Sequence, residues 1–364
     1  MKNLLVTLLS DQTIPNVQFL KYIMEKKCKD TQTNFLFVST DAMESKGVGN
    51  WIRNVCKITE FQTIRVNHSD ISDIEKKLAE FNYNEYEQIF VNVTGGTKMM
   101  SLTVSDFFKT KTNARIYYID GKKCYLNFPM KDRFFADLAD NISLKDYVES
   151  YGFTIHEGNL TGISYDDYTK EFISSFLEFS EREKQIIEEI RKNYRDKNLD
   201  IDKIEGLADF LCQIKFPISD TNKTKLNKKE TKYLTGDWFE EWVYFKLIEE
   251  QILADENLKT GIHLKKNDVD NEFDIIFLHQ GTLYTIECKT SISNGVMNIL
   301  NETIYKSTAL QKQLGLFTKS FIFTLSSKEN KEVKGAHIDR SELMGVKVFC
   351  REDIFPSIKS LLNL

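Results

Sequence analysis

Over its first 128 residues the chain alternates short apolar runs, at 3–9, 34–40, 62–67, 88–93 and 114–120, with stretches of helical period near 15–27, 46–57, 71–81 and 97–110. Alternation of this kind predicts an α/β domain, an open, mostly parallel, doubly wound sheet with helices on both faces. A short turn at Gly121-Lys122-Lys123 leads into a last run at 124–128, which is expected to pair antiparallel at the sheet edge. Ligands on such sheets sit beyond the carboxyl ends of the strands, so the loops after strands are where binding residues belong.

One of those loops carries its own chemistry. Gln88 to Val93 runs into Thr94-Gly95-Gly96-Thr97-Lys98, which opens a helix. Two glycines let backbone approach a ligand, a helix N-terminus offers free N–H groups to an anion, and Lys98 adds positive charge. The loop matches neither the Walker A pattern nor the Gly-x-Gly-x-x-Gly dinucleotide fingerprint, and on physics alone it is equally well a tight connection. Ser10, Asp11, Gln12, Thr13 and Asn16 follow the first run, and Thr40 follows the second, at the same edge of the predicted sheet.

At 364 residues, with 41% hydrophobic and 28% charged residues, the chain is long enough for two or three domains with proper cores. The apolar run at 4–9 is too short for a signal peptide, and no stretch is long enough to span a membrane. Six cysteines stand singly at 28, 56, 124, 212, 288 and 350, which argues for a reducing, cytoplasmic setting and against a zinc site. The five histidines have no metal-ligand spacing. A net charge of −5 means that a nucleic-acid partner must be held by local basic patches.

A second organising stretch lies at 272–289. Two runs rich in β-branched and aromatic residues flank His279-Gln280-Gly281-Thr282, the signature of a hairpin. With Gln280-Gly281 as a two-residue turn, the ladder puts Asp274 opposite Glu287, and Lys289 joins them on the same face. Paired carboxylates at cross-strand distance repel. A hard divalent cation, Mg²⁺ or Mn²⁺, removes that repulsion, and the lysine can orient or help deprotonate a metal-bound water while stabilising charge on a phosphate. A third acid comes from 236–248, a helical segment apolar almost all the way round, so Glu240 and Glu241 need partners when it is buried.

Glu240, Asp274, Glu287 and Lys289 together resemble the E…D…ExK signature of the PD-(D/E)xK nucleases, in which a helix supplies the first acid and a hairpin the rest. The resemblance implies metal ligation by Glu240, Asp274 and Glu287 and a catalytic Lys289. Phe273 stands where the nominal motif has proline, and Glu241 is the alternative helical acid. The Thr94-Gly95-Gly96-Thr97-Lys98 loop, with the polar loop at 10–16, resembles the CARF domain, the CRISPR-associated Rossmann fold. CARF proteins are typically homodimers that bind a cyclic oligoadenylate on the two-fold axis through these loops. A CARF domain followed by a PD-(D/E)xK domain is the layout of ancillary nucleases of type III CRISPR systems, switched on by cyclic tetra-adenylate to cut DNA or RNA.

The expected organisation is a CARF sensor at 1–140, a mostly helical connector at 141–230 and a nuclease domain at 231–364. The lysines at 223, 225, 228, 229 and 232 read as a solvated run that leads to the Glu240 helix, with contact to substrate phosphates as the alternative. Beyond the hairpin, a helix at 296–316, strands at 320–325 and 346–350 and a closing helix at 353–362 complete a small α/β core. Lys306 and Gln311 lie on the first of these helices, where related nucleases often place a polar residue near the site, but they read as exposed positions. A non-catalytic sensor with a degenerate nuclease fold, and a constitutive repair nuclease, are the competing readings.

Overall fold

The computed structural model describes residues 2–29, 31–126, 134–156, 166–195, 197–250, 257–290, 299–329 and 335–362. Its N-terminal half contains β1 (Lys2–Leu8), α1 (Ile14–Lys27), β2 (Gln32–Ser39), α2 (Asp41–Lys46), α3 (Val48–Cys56), β3 (Gln62–Arg65) and α4 (Ile71–Ala79). They are followed by β4 (Gln88–Asn92), α5 (Lys98–Lys109), β5 (Ala114–Ile119), β6 (Lys123–Leu126) and β7 (Phe134–Asp137). The seven strands form one sheet in the order β3-β2-β1-β4-β5-β6-β7, parallel through β5 and antiparallel beyond it. Alternate residues serve two cores: Leu5, Phe37 and Phe90 face α1 and α3, whereas Leu4, Val6, Leu36 and Val91 face α4 and α5.

The helix foreseen at 46–57 is α3, and a further short helix, α2, precedes it and ends where Gly47 adopts a left-handed conformation. The strand at 123–126 pairs antiparallel as foreseen but is not the edge, since β7 lies outside it. The part of that expected strand at 127–128 lies outside the described residues.

The middle of the chain holds α6 (Leu144–Ser150), β8 (Thr154–His156), α7 (Asp166–Glu178), α8 (Glu181–Asn193), β9 (Leu199–Asp200), α9 (Leu207–Gln213), β10 (Lys225–Leu226) and α10 (Lys228–Lys232). A π-helical turn, Tyr233–Asp237, leads into α11 (Trp238–Glu249). Next come β11 (Leu258–Lys266), β12 (Val269–His279), β13 (Thr282–Lys289), α12 (Ile299–Gln313), β14 (Thr318–Thr324), α13 (Gly335–Leu343), β15 (Val346–Phe349), α14 (Arg351–Ile354) and α15 (Ile358–Leu362). The second sheet runs β15-β14-β13-β12-β11-β8.

Three features of this half are absent from the sequence reading. β11 extends the hairpin into a meander, and β8 pairs with it to deliver a strand from the middle segment to the second sheet. Helices α7, α8 and α9 contribute Phe172, Ile187, Ile190 and Phe210 to one core with Trp238, Phe239 and the back of the hairpin, so they are built into this half rather than stacked between halves. The closing helix is broken into α14 and α15 around Pro356.

The two sheets share a core. Leu5, Phe19, Tyr147 and Leu144 of the first half pack in one cluster with Ile276, Leu278, Leu283, Leu310 and Leu314 of the second. At its tip, a Cβ on the hairpin's Gly281 would stand 3.3 Å from the Ala139 carbonyl, so hairpin and first domain are in close contact.

Candidate functional site

The crevice between β1 and β4 is the point where the order of the first sheet reverses, and two loops meet there. A Cβ on Gly95 would lie 2.0 Å from the Leu8 carbonyl oxygen, so only glycine fits where the two backbones touch. Asn92 locks the turn: its side-chain oxygen accepts from the Thr94 N–H at 3.1 Å and the Thr94 hydroxyl at 2.7 Å, and its amide donates to Thr7 Oγ1. Thr97 caps α5 by accepting from the Met100 N–H and donates to the His68 carbonyl. Lys98, in the first turn of α5, is exposed.

The structure divides the other residues singled out for this crevice. Ser10 is half-buried beside Gly95, Asp11 pairs with Lys46, and Thr40 caps α2. Thr13 and Asn16 instead face the interior: Thr13 Oγ1 bonds Ser150 Oγ, and the Asn16 amide donates to Thr7 Oγ1 and the Leu8 carbonyl. Gln12 reaches into the other half, its Oε1 accepting from the Leu316 N–H at 2.9 Å and from the Tyr151 hydroxyl at 3.4 Å.

The second site grows from the hairpin. Gln280 and Gly281 both have positive φ, 46° and 70°, as a type I′ turn requires, and His279 pairs with Thr282. The ladder runs back to Ile275 opposite Ile286, which makes Asp274 and Glu287 the next register position. Lys289 Nζ lies 3.2 Å from Asp274 Oδ2 and 3.3 Å from Glu287 Oε2, and the Cys288 N–H donates to Asp274 Oδ2 at 2.7 Å. Burial opposes the Lys289 charge, but the Asp274 and Glu287 carboxylates outweigh it and hold the ammonium above its ordinary pKa.

Glu240 sits in the first turn of α11, whose Phe239 and Val243 pack on the back of the hairpin with Ile275, Ile286 and Cys288. Burial, then the charges of Asp274 and Asp237, push its carboxyl well above the usual range. Asp237, one turn earlier, is raised by burial as well, against the pull of Arg195 and Lys232. Negative charge is therefore crowded behind Asp274, and these hard oxygen donors are the kind that a divalent cation of the Mg²⁺ or Mn²⁺ class takes. Among the described residues, no three His, Cys, Asp or Glu side chains converge closely enough to hold a metal ion in this conformation. Lys289 bridges the two hairpin carboxylates, and α11 approaches from the other face of the sheet.

Lys306, read from sequence as an exposed helix position, belongs to this site. Its Nζ lies 3.0 Å from Glu287 Oε1 and 3.0 Å from the Glu272 carbonyl oxygen. Gln311, on the same helix, binds the Thr318 carbonyl and only fastens α12 to β14. Asp237 escapes the sequence reading, and Lys306 is raised there only as the less favoured alternative to an exposed position, because each reaches the site from its own element with no motif linking it to the hairpin.

Comparison with known proteins agrees with this two-part layout. The Card1 CARF domain family matches residues 4–147, and the Card1-like endonuclease domain family matches residues 227–362. No curated protein sequence matches the chain. Among solved structures, Can2 from Sulfobacillus thermosulfidooxidans in complex with cyclic tetra-adenylate aligns with a TM-score of 0.74 at 21% identity, over 95% of each chain. Protein VC1899 from Vibrio cholerae aligns with a TM-score of 0.74 at 16% identity, over 96% of this chain and 94% of that one. A type III CRISPR defence DNA nuclease activated by cyclic oligoadenylate aligns with a TM-score of 0.53 at 16% identity, over 98% of this chain but 52% of its own. The chain therefore belongs to the family in which a CARF domain, here at residues 4–147, precedes a Card1-like endonuclease domain, here at 227–362.

Proposed function

We propose that the protein is a homodimeric, cyclic-oligoadenylate-activated, metal-dependent endonuclease of type III CRISPR defence, with cyclic tetra-adenylate as activator and DNA or RNA as substrate. The observation that carries the chemistry is the Lys289 ammonium held between Asp274 and Glu287 in an endonuclease domain. The PD-(D/E)xK assignment rests on that set and on Glu240 behind it. The activator reading is supported by the glycine loop pressed against Leu8 in the CARF domain, and by the cyclic tetra-adenylate in the Can2 complex and the cyclic-oligoadenylate activation of the type III nuclease.

Glu240, Asp274 and Glu287 would hold Mn²⁺ or Mg²⁺, which supplies Lewis-acid polarisation of the phosphate and a more acidic water. Because its pKa is raised, Lys289 stays protonated at neutral pH. As an ammonium it would orient the nucleophile and stabilise charge that develops on the phosphate. Lys306 holds the outer oxygen of Glu287 and fixes that carboxylate's rotamer.

The sensor reading needs a second copy. Met99 and Leu102 on α5 and Ile71 on α4 are apolar and exposed, Leu102 by 71%, beside the Gly-Gly loop. A second chain docked on this face brings two copies of the loop to a two-fold axis, the symmetry of a ring-shaped ligand. The signal then has a short route, because Gln12 of the crevice bonds the Leu316 N–H in the turn after α12, and α12 carries Lys306. Purified protein assayed with Mn²⁺ on DNA and RNA, with and without cyclic tetra-adenylate, tests the whole reading. Cleavage that needs the activator supports it; absence of cleavage under every condition, or cleavage indifferent to the activator, replaces it with a non-catalytic sensor or a constitutive nuclease.

A further inference from the structure

One half-buried cation outside both family-matched segments bonds the two chain segments that flank the hydrolytic residues. Arg191 lies on α8, and its side chain is 17% exposed. Its Nε and Nη2 donate to the Thr235 carbonyl at 3.2 and 2.8 Å, and Nη2 also donates to the Thr290 hydroxyl at 3.0 Å. Its remaining nitrogen pairs with Glu188. Thr235 stands in the π-helical turn where the chain kinks at Gly236 before α11, and a kinked helix leaves carbonyls without their usual intrahelical donors. The guanidinium supplies a donor there. Thr290 follows Lys289 directly, and Thr235 precedes Glu240 by five residues. One rigid fork thus ties the chain leading to the helical acid to the chain leaving the hairpin.

We propose that Arg191 is a positioning residue for the nuclease reaction, setting the distance between Glu240 and the Asp274–Glu287–Lys289 group. This rests on the reading of those residues as the hydrolytic centre. Glu240 comes from one face of the sheet and the hairpin acids from the other, so their spacing is not fixed by the ladder. A planar guanidinium holds its donors in a fixed fork of set spacing, whereas an ammonium's three donors radiate from one nitrogen on a flexible stem and set no such spacing. The arrangement also assigns work to α8, which the two matched domains leave out.

The test is a Mn²⁺ titration of the full-length protein, with free Mn²⁺ read by electron paramagnetic resonance, for Arg191→Lys, Arg191→Met and Thr290→Val, with Tm measured alongside. Residues bonded directly to metal ligands are worth about 10–100-fold in metal affinity; Arg191 stands one residue further out, so a loss at the low end, about tenfold, is expected for both Arg191 variants. Lysine should recover Tm but not affinity. If the Arg191 variants fail to fold, Thr290→Val decides: a fold-neutral loss of about threefold or more in Mn²⁺ affinity supports the role, on the same outer-partner scale. Wild-type Mn²⁺ affinity in Arg191→Lys, or in a folded Thr290→Val when the arginine variants are lost, overturns it. Glu287→Gln separates this from the parent reading: if that variant still cleaves, the site assignment has failed, whereas loss of cleavage in Glu287→Gln with normal behaviour in Arg191→Lys removes only the role of Arg191.

Discussion

The crevice at β1 and β4 and the centre at β12 and β13 handle charge in opposite ways. In the crevice, Thr94, Thr97, Asn92 and Asn16 are neutral, and their hydrogen bonds run to neighbouring backbone and hydroxyls, leaving Lys98 exposed at the mouth. At the hairpin, Asp274, Glu287 and Lys289 are ionisable and share one small volume, with Glu240 and Asp237 pushed towards protonation behind them. A preformed neutral loop suits recognition without chemistry, because it needs no rearrangement to take a ligand. A crowded acidic centre suits catalysis, because a bound cation relieves the repulsion among carboxylates that outnumber the lysines beside them.

The sharpest way to break this contrast is to damage the charged centre alone. Glu287→Gln and Lys289→Ala should each lower Mn²⁺-dependent cleavage by more than about a hundredfold, on the scale of losing one transition-state donor, while cyclic tetra-adenylate binding by calorimetry stays at the wild-type value. Damage to the crevice should do the reverse. Lys98→Ala should raise the activator concentration for half-maximal cleavage about tenfold, on the scale of a lost charge-assisted hydrogen bond, with the rate at saturation unchanged. An unaltered activator titration would make the loop a mere tight turn.

Legibility differed between the two regions for physical reasons. The crevice was readable because Gly95 answers a local steric demand and strand–helix alternation marks a parallel sheet in sequence. The hairpin was readable because a two-residue turn fixes its register, so Asp274, Glu287 and Lys289 could be placed on one face by counting. The contact of Lys306 with Glu287, the role of Arg191 and the Gln12–Leu316 bond are not readable, since each joins elements far apart in the chain through one side chain that leaves no period behind. β8 and β11 were missed because β8 has only three residues and Gly261 interrupts β11.

The link between the regions is open to a smaller, specific perturbation. Gln12→Met removes the acceptor for the Leu316 N–H while keeping the length of the side chain. The ratio of activated to basal cleavage should change by about three- to tenfold, within the roughly 0.5–2 kcal/mol that residues along a coupling route contribute. A ratio equal to wild type would place the coupling in the shared apolar core instead.

The smallest effect is on stability. Glu240 binds a proton more tightly folded than unfolded, so native protein without metal holds more protons than unfolded chain between the unfolded pKa and the raised one. Stability should fall as pH rises through that interval. Glu240→Gln mimics the protonated acid and avoids the loss. Near neutral pH and in chelator, its Tm should exceed wild type by roughly 1–2 °C, the shift that about 1 kcal/mol produces in a chain of 364 residues. The difference should disappear below the unfolded carboxylate pKa, and a constant difference across pH would mean that the residue is not held under charge stress.

The central claim, that a CARF domain governs a metal-dependent nuclease centre in the same chain, is tested most directly by titrating cyclic tetra-adenylate into a Mn²⁺-dependent cleavage assay of the full-length protein. The account predicts little cleavage without the ring and a saturable rise with it, lost in Glu287→Gln at every concentration and shifted to higher concentration in Lys98→Ala. Full cleavage with no activator present, unchanged by its addition, would contradict it.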